Sequence, residues 1–249
     1  MKLPQKIEPC PIIDALFEIR FDTKMPLDAV FGIVYQIFAE EYNKPIDLPI
    51  LEIPAVIRKE DPTLKYKPHH RMENDDFVLQ IGPNMISFSS YPSYSGWYKF
   101  SNGIYDVINK INRTAIISSI QRLGLRYINF FDTDDIFKKI NLNITLTDEE
   151  IDYKKTVFRT EINAHSEIPI ATTLQISNNI EVNLTNKQDE SPKIGSIIDI
   201  DTFVSQGLDD FFDNKSTFLN ACHHVEKNLF FKLLKQDYLE SFNPEYSNG

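Results

Sequence analysis

Acidic, basic and amide side chains recur two or four residues apart on expected strands: Glu18 with Arg20, Arg122 with Arg126, Arg159 with Glu161, Glu181 with Asn183, and Asp199 with Asp201. Residues an even number apart share one face of a β-strand, so each set projects in one direction. Two chemistries use such faces. Acids beside arginines neutralise one another, because a desolvated charge is costly unless it is paired. If the faces curve toward each other, carboxylates can instead hold a divalent metal while the planar guanidinium fork holds an anion. That second arrangement would suit metal-dependent cleavage of a phosphate or triphosphate.

A third set lies near the C-terminus. At 100° per residue, Phe218, Leu219, Cys222, Val225, Leu229 and Leu233 share one arc of a helix. Glu226 falls inside that arc and His223 at its edge, three residues apart and within mutual reach. A carboxylate beside a histidine on a buried face is a general-base pair, part of a metal site, or a polar anchor onto a strand residue such as Arg122. Asp209, Asp210 and Asp213 have a spacing by which prenyl-transferring enzymes hold magnesium. Those enzymes are all-helical, and here the acids read as the charged start of a helix. His69 and His70 have no suitably spaced ligands nearby.

The elements that position these residues follow from periodicity. Residues 120–131 alternate, with Leu123, Leu125, Tyr127 and Phe131 on one face and Arg122, Gly124, Arg126, Ile128 and Phe130 on the other. Residues 11–21 do the same, with Ala15, Phe17, Ile19 and Phe21 opposed to Asp14, Leu16, Glu18 and Arg20. If these two strands lie side by side, Glu18 neutralises Arg122 or Arg126. A helix is expected over 26–42, then a proline-rich excursion over 43–76 with one edge strand near 50–57. Strands over 77–81 and 85–91 flank a Gly82-Pro83-Asn84 turn, and a helix follows Trp97. The first half thus reads β-α-β-β-α-β, the order of a ferredoxin-like unit.

In the second half, strands are expected over 140–146, with Leu142 and Ile144 inward, and over 157–163. Strands over 169–177 and 180–185 flank Asn178-Asn179 as a hairpin turn. A strand over 194–204 and a long helix over 216–236 complete the chain. The expected class is therefore α+β: a ferredoxin-like half over 1–133, and an antiparallel sheet closed by a long helix over 134–249, the two able to share one core.

At 249 residues, with 42% hydrophobic and 25% charged content, the chain has the composition of a globular protein. Its formal net charge of −10 argues against broad nucleic-acid binding, which needs a positive surface. No apolar run has the length of a membrane span, and the N-terminus lacks a signal peptide's apolar core. Two cysteines, Cys10 and Cys222, are too few for a disulfide framework. A cytoplasmic location is expected. No Walker loop, dinucleotide fingerprint, nucleophile elbow or paired Cys-x-x-Cys occurs, so no cofactor is expected. The chain also lacks the Glu-x-Glu-x-Lys opening of triphosphate tunnel enzymes.

Four segments together carry a resemblance. They are Pro11-Ile12-Ile13-Asp14-Ala15-Leu16-Phe17-Glu18-Ile19-Arg20-Phe21, Tyr94-Ser95-Gly96-Trp97-Tyr98-Lys99-Phe100, Arg122-Leu123-Gly124-Leu125-Arg126-Tyr127-Ile128-Asn129, and Ile198-Asp199-Ile200-Asp201-Thr202-Phe203. With His223 and the Phe230-Phe231 pair, the chain resembles an uncharacterised, sporadically distributed bacterial family of similar length. That family commonly has a basic residue where this chain has Phe130. Its patchy distribution implies mobile accessory genes, such as phage defence or toxin–antitoxin modules. The expected function is a non-enzymatic interaction or regulatory protein with a protein partner or a homo-oligomer. The alternative is the metal-dependent phosphate hydrolase.

Overall fold

Regular alternation of apolar and polar residues favours half-buried strands, and here such segments join a single sheet. The structure is a computed structural model and describes residues 3–144, 154–182 and 192–246. Among these, β1 (Ile12–Asp22), β2 (Ile46–Asp47), β3 (His70–Glu73), β4 (Phe77–Gly82), β5 (Met85–Ser90), β6 (Ser119–Phe131), β7 (Val157–Asn163), β8 (Ile170–Val182) and β9 (Lys193–Val204) form an antiparallel sheet of order β2-β3-β4-β5-β1-β6-β9-β8-β7. Five helices accompany it: α1 (Leu27–Phe38), α2 (Ala55–Glu60), α3 (Trp97–Asn112), α4 (Phe211–Leu233) and α5 (Gln236–Glu240). The fold class is α+β.

The apolar face of the sheet meets α1, α3 and α4. Phe17, Phe21, Phe88, Phe100 and Tyr127 are almost wholly buried in one cluster with Phe211, Leu219 and Cys222. Fully burying a large apolar side chain is worth roughly 1.5–3 kcal/mol, so this cluster is the main stabilising element. A second cluster, with Phe131, Ile136, Ile198, Ile200 and Phe230, continues under the C-terminal half of α4. β6 pairs with β9, so the sheet runs unbroken across residue 133, and the first cluster draws residues from both sides of it.

Several expected elements differ. Residues 50–57 are not an edge strand. Pro49–Glu52 is a 3-10 turn followed by α2, and Arg58 Nη1 ties them by donating to the carbonyls of Leu51 and Ile53, both at 2.9 Å. The edge at that end is the short β2, paired with β3, both inside the expected excursion. Asn178-Asn179 is not a hairpin turn. β8 runs straight through it, and a bulge between Ser177 and Ile180 absorbs the two asparagines. Asn179 takes the left-handed conformation (φ 48°) that also made it look like a turn residue. The bulge is tied to the chain before β7: Asn178 Oδ1 accepts from Thr156 N at 2.6 Å, and Asn179 Nδ2 donates to the Lys154 carbonyl at 2.8 Å.

Over 140–146, Ile140 makes only an isolated bridge to Leu234, and Ile144 is exposed rather than inward. Residues 145 and 146 of that expected strand lie outside the described residues, as do Asn183 and the rest of the expected strand end at 183–185. The long helix starts earlier than residue 216, at Phe211. Asn214 is non-helical within its first turn, and its amide donates to Asp210.

Candidate functional site

The two faces of the sheet carry different chemistry. On the face away from the helices, Glu18 lies opposite Gly124 of β6. The Arg122 side chain lies across Gly124, where an added Cβ would come within 2.3 Å of its Nη1. That glycine leaves room for a flat guanidinium on the sheet surface. There Arg122 donates from Nη1 to Glu18 (3.1 Å) and from Nη2 to Asp201 (2.7 Å), and sits 4.4 Å from the Phe203 ring centroid. Arg20 Nε also donates to Glu18, at 2.7 Å, and stacks over Tyr66. Arg126 makes a bidentate pair with Asp199, at 2.8 and 2.5 Å. Asp14 is held above the ordinary carboxylate range by burial, against the pull of Arg126.

Thus Glu18 meets Arg122 and not Arg126, while Asp199 and Asp201 each hold one arginine. Arg159 and Glu161 share the same face, two strands away, opposite Gln175 and Thr173, and neither makes an ion pair among the described residues. The β8 bulge shifts the alternation by one and moves Glu181 off this face. No three of the His, Cys, Asp and Glu side chains among the described residues are grouped to hold a metal ion.

On the helix side there is a cleft of about 970 Å³. Its outer wall is the segment before β1, fastened to the chain's other end. Gln5 N donates to the Glu245 carbonyl and Glu8 N to that of Phe242, both at 2.7 Å, and Asn243 Nδ2 donates to the Glu8 carbonyl at 3.0 Å. The second wall is the Tyr94–Lys99 stretch, where Gly96 takes a φ of 89° that favours glycine and starts α3. The floor is Tyr127 and Asn129 of β6, and α4 supplies the remaining wall with His223, Glu226 and Lys227.

Glu226 occupies the i, i+4 row between Cys222 and Phe230, where the helix would ordinarily bury a leucine. It is 6% exposed and makes no hydrogen bond or ion pair among the described residues. Burial raises its pKa to about 8, with Lys227 pulling the other way, so it is mostly protonated at neutral pH. His223 lies flat on Trp97, centroids 3.9 Å apart and planes 7° apart. Its Nδ1 is buried without a hydrogen-bond partner. Burial lowers its pKa to about 3, with Lys227 and His224 adding to the shift. Tyr127, 1% exposed, has its hydroxyl beside that of Tyr94, the two interacting without a hydrogen bond of normal geometry, and it feels the Glu226 carboxyl electrostatically.

His223 and Glu226 therefore share one cleft without bonding to each other. Neither reaches Arg122 as an anchor, because that arginine lies on the far face of the sheet. Trp97, Tyr127 and Asn129 were missed as site residues because their types and spacing match a core. The available signals were the polar tip of Tyr127 on an apolar face, and a lone tryptophan following Gly96. Neither a scan against protein-family models nor a search of curated proteins returns a match for the chain.

Proposed function

We propose that the chain is a non-enzymatic binding or regulatory protein, of the kind carried by bacterial defence or toxin–antitoxin modules, acting in the cytoplasm through a protein partner or a second copy of itself. One observation carries this reading. The sheet's central charges, Glu18, Arg20, Arg122, Arg126, Asp199 and Asp201, satisfy one another, while the unsatisfied polar groups sit in a cleft whose lining includes Lys227 but offers no bonded nucleophile–base pair among the described residues. A catalytic pair needs hydrogen-bond contact between base and nucleophile or substrate. Cys10, at the cleft mouth, has its thiol raised rather than lowered, which disfavours the thiolate.

The four resemblance-bearing segments support the family assignment, since they hold the ion-pair network and one wall and the floor of the cleft. The order β4-β5-β1-β6, with α1 and α3 on one face, supports reading the first half as a ferredoxin-like unit. A partner surface is available at β7, the last strand of the sheet, where Val157 is 59% exposed and the outer edge has no strand partner among the described residues. No helix among the described residues is long and apolar enough to cross a membrane.

The test is affinity capture of the tagged chain from bacterial cells, alongside its size in solution. A stoichiometric protein partner or a stable homo-oligomer is expected, and a monomer that captures nothing specific would overturn the reading. The phosphate hydrolase predicts phosphate release stimulated by magnesium or manganese and abolished by Glu18→Gln or Asp201→Asn. With those carboxylates committed to arginines, no turnover is expected on nucleotides or polyphosphate.

A further inference from the structure

Buried hydrogen-bonding groups without partners are rare, because each has lost water and gained nothing in exchange. Two such atoms, the Tyr127 hydroxyl, which has only the Tyr94 hydroxyl close to it, and the His223 Nδ1, line the cleft behind the N-terminal strap, where they are joined by the carboxyl of the buried Glu226, which has no hydrogen bond among the described residues. The walls beside them are aromatic, with Tyr94, Trp97 and Phe230. A volume of about 970 Å³ is in the range of small-molecule sites. We propose that this cleft binds a small uncharged heterocycle presenting a hydrogen-bond donor and acceptor side by side, with Glu226 reading that edge and Tyr127 and His223 contacting the atoms next to it. The proposal rests on the reading of the chain as a binding protein and names the ligand class of its cleft.

The charge pattern selects against the other classes. A cation would meet Lys227, which lines the cleft next to Glu226 and has no ion-pair partner among the described residues. Lys6 and Lys99 add positive charge at the mouth, though each is paired, with Glu8 and Asp76. An anion carries acceptors only and would leave the carbonyl oxygen of the protonated Glu226 carboxyl without a donor. A purely apolar ligand would leave all three polar groups unsatisfied. A protonated carboxyl offers one O–H donor and one C=O acceptor in one plane, the complement of a lactam, a carboxamide or an aminoheterocycle edge. Aromatic side chains suit a flat ring.

The chain contains a single tryptophan, Trp97, and it lines this cleft, so its fluorescence reports occupancy directly. The probes are uracil, cytosine, adenine, guanosine and nicotinamide, compared with benzylamine as a cation, benzoate as an anion and indane as an apolar ring, each confirmed by calorimetry. At least one base or carboxamide is expected to change Trp97 emission saturably, and the three comparison compounds are not. Glu226→Gln keeps a donor and an acceptor without charge and should retain affinity within about threefold, whereas Glu226→Leu should lose about tenfold or more. Tyr127→Phe, which preserves the packing, should weaken binding while leaving the fold intact by circular dichroism.

No saturable response to any base or carboxamide would overturn the proposal. So would tighter binding of benzylamine, benzoate or indane, or affinity lost in Glu226→Gln and kept in Glu226→Leu. Failure here together with capture of a protein partner would leave the binding-protein reading standing. Conversion of a bound probe to product would sink that reading while upholding the ligand class.

Discussion

Replacing Glu226 with glutamine isolates one proton in the pH dependence of stability. The carboxyl, ordinarily near 4.5, is raised by burial to about 8 in the folded chain. Between those values the unfolded chain has released a proton that the folded chain retains. The folded state therefore loses stability as pH rises, at about 1.36 kcal/mol per pH unit, and the loss is complete above the folded value. Across the interval this amounts to a ceiling of about 5 kcal/mol, a large share of the ~5–15 kcal/mol by which domains are stable.

His223 acts in the opposite direction. Its imidazole, ordinarily near 6.5, is lowered by burial to about 3, so the unfolded chain holds the extra proton between those values and stability rises with pH. The two effects oppose each other from about 4.5 to 6.5, and above 6.5 only Glu226 contributes. Urea unfolding of the wild type and Glu226→Gln at intervals from pH 4 to about 9 gives the difference curve directly. It should be flat below about 4.5, climb through the neutral range and level off above about 8. His223→Phe keeps a ring against Trp97 and removes the proton. Its advantage over the wild type should shrink as pH rises and vanish above about 6.5. Parallel curves for wild type and Glu226→Gln between about pH 5 and 8 would show that the carboxyl ionises as in the unfolded chain, refuting a dry cleft.

Two further substitutions test the sheet. Arg122→Met, at a guanidinium only 14% exposed, strands Asp201 and leaves Glu18 with Arg20 alone, and should cost about 3 kcal/mol, whereas Arg126→Met, at a side chain 43% exposed, strands only Asp199 and should cost about 1–2 kcal/mol. Chemical denaturation measures both, and equal costs would contradict the central role of Arg122. At the β8 bulge, Asn179→Gly should change stability by less than ~0.5 kcal/mol, whereas Asn179→Val should cost roughly 1–2 kcal/mol through its left-handed backbone, both read from thermal unfolding.

The parts of the fold legible in the sequence are those whose local pattern and tertiary fate coincide. β1 and β6 announce themselves because each has a continuous apolar face and a charged one, and burial of one face fixes their register. Asn178-Asn179 misleads because a hairpin turn and a bulge require the same left-handed backbone, and only pairing with β9 on both sides distinguishes them. The 50–57 stretch is apolar enough for a strand but is wound up by Arg58 from a few residues further along, a contact no periodicity records. The cleft is harder still. Its walls come from the N-terminal strap, the Gly96 turn, β6 and α4, and the plainest signal is on α4, a glutamate on an apolar arc, whereas Tyr127 and Trp97 match an ordinary core.

That glutamate is more informative than the more conspicuous arginines. A charged residue surrounded by complementary charges is explained by its neighbours: Arg122 touches Glu18, Asp201 and Phe203, and nothing outside the chain is needed to account for it. Glu226 has no such account. A leucine in its place would continue the apolar row from Cys222 to Phe230 and remove the pH-dependent loss described above. The stability lost to a buried carboxyl is consistent with a use that the free chain does not display. Its position beside the Tyr127 hydroxyl and the His223 Nδ1, in an open cleft bordered by the N-terminal strap, is the reason for proposing that this use is a bound molecule. The sheet's charges hold the fold together, and the cleft is where the chain would meet its ligand.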